Sequence, residues 1–348
     1  MQQALSRKRL GAILTAVVLV AILSGCAGGL LGMVLQLVTV GKLVGDVQDL
    51  KDRFLKDPDE YQVFFDGYLL GKRPEKSGEL ELDGLPSGRH LISVIDEDYR
   101  TGFHQSVEIT PGQAGLQLSD YNALEGAVIS GKVERQAGGG RVGVANLLVV
   151  AIFDGASALR EHGGAIITIP PTDDTTYVMG YTNSAGTYRL GPCAYGSWLV
   201  TTALPGHYAD ARVLVTSAGS DGRNEDLYLA GQPLDNSATV LGSVTQNGLE
   251  GLADALVYSD LDAAYEGQLT AERAAEVENL AGFSLIDGPW FAWTRLGTVT
   301  DALGAYSLRT NTGQQTIIGF RYGYQAKAMD LNLGPADAFQ LDFDLSRL

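Results

Sequence analysis

Thr182-Asn183-Ser184-Ala185-Gly186-Thr187-Tyr188-Arg189-Leu190 is matched further along the chain by Thr300-Asp301-Ala302-Leu303-Gly304-Ala305-Tyr306-Ser307-Leu308. Both stretches read Thr, Asn or Asp, two variable residues, Gly, one variable residue, Tyr, one variable residue, Leu. Asn and Asp side chains close an Asx turn on their own backbone, and glycine supplies the positive φ that a tight turn needs. Tyr and Leu stand two apart, so both face the same side of the strand that follows. A hairpin of this kind occurring twice makes the second half of the chain a tandem β array.

The flanks repeat too. Gly131-Lys132-Val133 precedes the first copy and Gly242-Ser243-Val244 the second, about 111 residues apart (242 minus 131). Ala145-Asn146-Leu147 answers Ala255-Leu256-Val257, and Gly206-His207-Tyr208 loosely answers Tyr322-Gly323-Tyr324. Asp226-Leu227-Tyr228-Leu229 answers Asp342-Phe343-Asp344-Leu345. The spacing is close to the ~100 residues of an immunoglobulin-like sandwich. From about Val128 to Leu345 the pattern resembles the carboxypeptidase regulatory-like domain, a transthyretin-like sandwich of seven strands. That resemblance implies a binding or architectural module, with any catalysis placed in a separate enzyme domain that this chain does not show.

Upstream, Tyr61-Gln62-Val63-Phe64-Phe65-Asp66-Gly67 reads as strand and turn, and Leu80-Glu81-Leu82 alternates. Gly84-Leu85-Pro86-Ser87-Gly88 turns, and His90-Leu91-Ile92-Ser93-Val94-Ile95 returns. Short strands between Gly/Pro turns indicate an antiparallel sheet. The order Phe-x-Asp-Gly, Gly-Lys-x-Pro, Leu-Pro-x-Gly-x-His resembles the PEGA domain, a small β-sandwich of the bacterial envelope, over about Tyr61 to Leu118. The expected class is therefore mainly β: tandem antiparallel β-sandwich domains, transthyretin-like or immunoglobulin-like, after an N-terminal signal and a short helix. The expected division is 1–25 signal, 26–58 lipidated N-terminus and helical stalk, 59–120 PEGA-like domain, then sandwiches at 128–231 and 238–348.

Two insertions interrupt the repeats, Asp154 to Tyr177 with Asp173-Asp174, and Ser259 to Gly288 with a short helix expected at Ala271 to Leu280 after the N-cap Thr270. Loops of such length are uncommon unless functional or disordered, so specificity is expected there. Trp290-Phe291-Ala292-Trp293 follows the second insertion. Trp290 and Trp293 are candidate ligand-binding residues that would stack on sugar rings; the alternative is that they belong to the core.

At the N-terminus, Arg7-Lys8-Arg9 leads an apolar run from Leu10 to Leu23 that ends in Leu23-Ser24-Gly25-Cys26. A basic start, an apolar stretch and small residues describe a secretory signal. The last four match the bacterial lipobox, which makes Cys26 the lipid attachment site. The alternative is an uncleaved transmembrane anchor, since no charge occurs from Leu10 through Val40. Either way the basic patch stays cytoplasmic and the rest is exported. By resemblance to Gram-negative lipoproteins, Ala27 lacks the aspartate of inner-membrane retention, which favours an outer-membrane destination. Apolar residues Val40, Leu43, Val44, Val47, Leu50 and Phe54 recur at helical spacing and predict a helix from about Leu30 to Lys56, before Pro58.

The chain has 348 residues, with 25 basic and 41 acidic side chains and a net charge of −16. Loss of residues 1–25 would remove three bases and no acid, leaving −19. That balance opposes nucleic acid and anionic lipid, so membrane attachment must come through the acyl chains. Two cysteines, Cys26 and Cys193, allow neither a disulfide scaffold nor a four-thiolate zinc site; Cys193 is expected as a partly buried free thiol. Gly138-x-Gly140-x-x-Gly143 satisfies a dinucleotide pattern but lies between β-rich runs, so a hairpin is expected. His90, His104, His162 and His207 are not paired at ligand spacing, and Asp173-Asp174 and Asp260-x-Asp262 belong to no twelve-residue calcium loop. No catalytic residue, metal or cofactor is assigned. The reading is a non-catalytic cell-envelope lipoprotein, a structural or interaction module whose partners are envelope proteins or surface glycans.

Overall fold

In the computed structural model the described residues are 56–76, 80–110, 116–118, 123–162, 164–169, 177–207, 209–231, 237–261 and 296–348. The lipobox, the expected helix up to residue 55, the Ala271–Leu280 helix, Asp173-Asp174, Asp262 and both Trp290 and Trp293 lie outside them. Among the described residues there is no α-helix, only one 3₁₀ turn at Pro58–Glu60, and no helix long and apolar enough to cross a membrane.

The first strands are β1 (Tyr61–Phe65), β2 (Tyr68–Leu69), β3 (Leu80–Leu82), β4 (Gly88–Asp96), β5 (Thr101–Ile109), β6 (Leu116–Leu118) and β7 (Leu124–Glu125). Next come β8 (Ala127–Ala137), β9 (Gly140–Gly143), β10 (Leu148–His162), β11 (Ala165–Ile169) and β12 (Tyr177–Tyr181). They are followed by β13 (Thr187–Cys193), β14 (Tyr195–Thr202), β15 (Asp210–Thr216) and β16 (Leu227–Leu229). The last group is β17 (Ser237–Gln246), β18 (Glu250–Gly251), β19 (Leu256–Leu261), β20 (Leu296–Val299) and β21 (Ala305–Asn311). It closes with β22 (Gly313–Phe320), β23 (Lys327–Leu333), β24 (Ala338–Gln340) and β25 (Phe343–Leu345).

The fold is nearly all β, in several mostly antiparallel sheets. A β13-β8-β16 sheet packs on the β15-β14-β10 part of a second sheet, enclosing Ile129, Val149, Tyr188, Trp198 and Leu227. The β18-β17-β21 sheet, with β24 and β25, faces β20-β19-β22-β23 around Val240, Val257, Leu308, Ile317 and Phe343. β16 pairs in parallel with β8, and β24 and β25 pair in parallel with β17.

The repeat is reproduced bond for bond. Asn183 Oδ1 accepts the N–H groups of Ala185 and Thr187 at 3.0 Å, and Asp301 Oδ1 those of Leu303 and Ala305 at 2.9 Å. Thr182 donates its hydroxyl to Val144 O and Thr300 to Leu252 O, each at 2.6 Å. Gly186 and Gly304 take φ of 80° and 79°. The Gly138 pattern is a hairpin turn between β8 and β9, with Gly138 and Gly139 both at positive φ.

The first insertion differs from the loop expected of it. β10 runs on through Asp154 to His162 and pairs with β11 in register from Ala158↔Ile169 to His162↔Ala165. The β-branched run Ile166-Ile167-Thr168-Ile169 and the turn at Gly164 make the outer part of the insertion a hairpin arm. In the second insertion, Ser259–Leu261 continue β19.

Two-sided burial explains a pattern that alternation does not. Along β10, Val149, Ala151 and Phe153 enter one core, while Leu148, Val150 and Ile152 enter another that also holds Leu91 and Met179. Along β19 and β22, Val257 and Ile317 face one way, and Leu256, Tyr258, Ile318 and Phe320 pack on Tyr61, Val63, Phe65 and Val94. β4 is buried from His90 to Asp96 without a break. Strands covered on both faces lose alternation and become continuous apolar runs.

The N-terminal strands also continue the second sheet, in the order β10-β7-β5-β4-β1-β2. The seam is the two-residue β7, and the buried Arg160 of β10 fastens it. Its Nε donates to Glu125 O at 3.0 Å, and its Nη2 donates to Leu124 O at 2.7 Å and Gly102 O at 3.2 Å. Arg160→Met would leave those carbonyls short of a donor, at about 1–3 kcal/mol each. Release of a desolvated charge offsets part of that. A net loss of about 2 kcal/mol is expected in urea unfolding; an unchanged or higher midpoint would show that the seam holds without it.

Candidate functional site

A cleft of about 920 Å³ opens where these sheets meet. Its first wall comes from the β1–β2 turn. Asp66 and Gly67 both take positive φ, 48° and 79°, the conformation of a two-residue hairpin turn. Asp66 is fixed by accepting the Leu91 N–H at 2.8 Å on Oδ1 and the His90 Nδ1–H at 2.7 Å on Oδ2. A Cβ on Gly67 would lie 2.7 Å from Gly180 Cα, so glycine meets glycine where the turn docks on β12. Beyond the turn, Tyr68 donates its hydroxyl to Asp254 O, tying this wall to the β18–β19 connection.

The second wall is the Asp96–Thr101 turn. Asp96 Oδ1 accepts the N–H groups of Arg100 at 2.7 Å and Thr101 at 3.1 Å, and Lys56 Nζ reaches Oδ2 at 2.5 Å. Burial works to raise the Asp96 pKa, but Lys56 and these N–H groups outweigh it and hold the carboxyl below its usual range. The turn presents Tyr99, at φ 59°. Its ring centroid is 6.0 Å from that of Phe64, and the Arg189 guanidinium carbon lies 5.1 Å away over its face. Arg189 Nη2 also donates to Asp98 O at 2.5 Å. Gly191 is obligatory behind it, because a Cβ there would lie 2.3 Å from Tyr99 O.

The third wall carries Asp254, Val299, Arg321 and Tyr322, and the floor carries Met179, Tyr181 and Leu190. Burial pushes the Tyr68 phenol up to about 12, opposed by the positive charge of Arg321. A second, polar hollow of about 630 Å³ is lined by Asp260, Gln314, Thr316 and Asp330, and a small void of about 110 Å³ lies between Leu147 and Leu296. The tyrosine-rich cleft has the largest volume of the three and draws on the N-terminal strands, the first repeat and the second repeat together.

The histidines and Cys193 singled out from sequence fall elsewhere, and Cys26, Trp290 and Trp293 lie outside the described residues. His104 is buried: Nε2–H donates to Pro192 O at 3.2 Å, and Nδ1 pairs with Ser93 Oγ at 2.8 Å. Burial and the nearby Arg160 charge pull its pKa down to about 3, so the ring is neutral and Nδ1 accepts the serine proton. Cys193 is fully buried, deeper than expected, and burial pushes its thiol up to about 12, which leaves no thiolate at neutral pH. His207 is buried within hydrogen-bond reach of Pro205 O, and His162 ends β10. Among the described residues no group of three His, Cys, Asp or Glu could hold a metal ion. Tyr68, Tyr99, Tyr181, Arg189, Arg321 and Tyr322 escaped the sequence reading. Arg189 and Tyr322 fell within recognised motifs, but neither motif marked them for a site, because these residues meet through long-range pairing and share no local signal.

No protein-family model matches the chain, and no curated protein matches it. Among solved structures it is similar to the Bacillus anthracis TIE protein, at 11% identity and a TM-score of 0.21 over 82% of this chain and 46% of that one. It is similar to the shaft pilin SpaA of Lactobacillus rhamnosus GG, at 10% identity and a TM-score of 0.21 over 64% and 98% of the two chains. It is also similar to 3-chlorocatechol 1,2-dioxygenase of Rhodococcus opacus 1CP, at 14% identity and a TM-score of 0.22 over 32% and 61%. The chain spans less than half the length of the TIE protein. No residue role is carried across from any of these, and the family resemblances rest on the motifs themselves.

Proposed function

We propose that the chain is an exported, non-catalytic binding module displayed from a membrane, the outer membrane in a Gram-negative cell, by acyl chains on Cys26. The observation that carries this reading is the shared core in which Phe65 and Val94 pack against Tyr258 and Phe320. It joins N-terminal and C-terminal strands into one body and leaves a ready-formed concave cleft at their junction. The buried groups that catalysis would draw on are spent on structure: His90 holds a turn, His104 bridges two strands, Arg160 fastens a seam, and Cys193 carries no thiolate. An acidic body, repelled by anionic headgroups, needs a covalent anchor to remain at the surface.

The test pairs Cys26→Ser with wild type in cells fed a labelled fatty acid. Wild type is expected to carry label and fractionate with membranes, and the variant to lose both. A variant that stays acylated and membrane-bound would defeat the anchor. Crosslinking in intact cells is expected to capture an envelope component on the wild-type chain; recovery of uncrosslinked chain alone would defeat the interaction role.

A further inference from the structure

We propose that the cleft binds an acidic oligosaccharide, one whose sugar rings bear carboxylates; this rests on reading the chain as a binding module and names the ligand class. The first observation is the set of ring faces. Tyr99, Tyr181 and Tyr322 line the cleft and are half-buried. A sugar ring has an apolar C–H face that packs on an aromatic face, and a hydroxyl rim that hydrogen-bonds with tyrosine and arginine.

The second observation is charge. The chain as a whole is at −16, yet the ionic groups lining the cleft are Arg189, Arg321 and Asp254. Several arginines elsewhere find carboxylates, Arg73 with Glu97, Arg100 with Asp221 and Arg212 with Asp210, while the buried Arg160 bonds only backbone carbonyls. In the cleft the Arg189 side chain bonds only a backbone carbonyl and a ring face, and the Arg321 side chain, unlike its carbonyl, has no hydrogen bond or ion pair among the described residues. Two guanidinium groups without a carboxylate, in a chain rich in carboxylates, are placed to receive one from a ligand in the planar two-bond geometry arginine favours.

The third observation is preorganisation. The walls are held by Gly67 against Gly180, by Gly191 against Tyr99, and by the Tyr68–Asp254 bond. The volume of about 920 Å³ falls in the range of small-ligand sites and suits a short oligosaccharide. The competing occupant is an acidic peptide. It would pair its main chain with a strand edge, whereas the cleft offers tyrosine rings and arginine side chains.

The test is calorimetric titration of the full chain in detergent with a galacturonic acid tetramer, a neutral maltotetraose and a glutamate-rich octapeptide. The acidic tetramer is expected to bind saturably and to weaken with salt, while the neutral sugar and the peptide bind at least about tenfold more weakly. Arg321→Gln, with an unchanged melting temperature, is expected to weaken the tetramer at least about tenfold. Trp290→Ala/Trp293→Ala is expected to bind as wild type. Equal binding of maltotetraose, tighter binding of the peptide, an indifferent Arg321→Gln, or loss of binding in the tryptophan variant would each overturn the proposal. Absence of any sugar binding while an envelope component is still crosslinked would overturn the ligand class and leave the module reading intact.

Discussion

Gly242→Ala is expected to cost about 3 kcal/mol or more and to unfold the C-terminal sandwich well below the wild-type denaturant midpoint. A Cβ at this position would lie 1.7 Å from Leu341 O. That oxygen cannot retreat, because it accepts the buried Tyr306 hydroxyl at 2.7 Å while Leu341 N–H donates to Leu241 O at 2.8 Å. The same construction recurs at Gly131. A Cβ there would lie 2.4 Å from Glu225 O, which accepts the Tyr188 hydroxyl. Gly131→Ala is therefore expected to destabilise the preceding sandwich in the same way. Gly138→Ala is the control: nothing lies within 4 Å, and φ is 56°, so only the left-handed backbone penalty of about 1 kcal/mol applies. If Gly242→Ala unfolded like Gly138→Ala, the crossing of strand and carbonyl would not be the reason for the repeated glycine.

Acid is expected to destabilise the protein from just below neutrality, and His104 sets the window. Its folded pKa lies at about 3, against 6.5 for the free side chain, because burial and then the Arg160 charge oppose protonation. The unfolded chain binds the proton first. The contribution is therefore complete above pH 6.5, falls as pH drops from 6.5 toward 3, and is gone below that. The slope is about 1.4 kcal/mol per pH unit, so roughly 3 kcal/mol is lost by pH 4.5 to 4. Asp96, Asp221 and Asp342 are all held below the usual carboxylate range, so their losses begin as pH falls through the ordinary carboxylate value of about 3.9 and continue below it. The two windows separate. Urea midpoints for wild type should slope from pH 6.5 downward, and those of His104→Gln should stay flatter until the carboxylates titrate. Parallel pH profiles for the two proteins would show that His104 is not the group responsible.

The hairpins were legible because their chemistry is local. Asn183 and Asp301 bond to N–H groups two and four residues on, and Gly186 and Gly304 stand inside the same turns. The glycines at 131 and 242 were visible as repeats, but their reason was not. The carbonyl that excludes a side chain comes from about 94 and 99 residues away (225 minus 131, 341 minus 242). The extension of β10 into the first insertion was hidden because both copies carry an insertion at this point and the two insertions share no motif.

By itself the sequence determined the strand class, the tandem repeat, the turn geometry and the acidic balance, since each depends on neighbours within a few residues or on composition. The tertiary structure decided which faces of β4, β10 and β22 are covered, and so why their apolar residues run together instead of alternating. It alone brought Tyr99, Arg189 and Arg321 to one cleft. The physical reason is that a strand's second partner is chosen by pairing across the whole chain, and a pocket exists only where such pairings leave space between them.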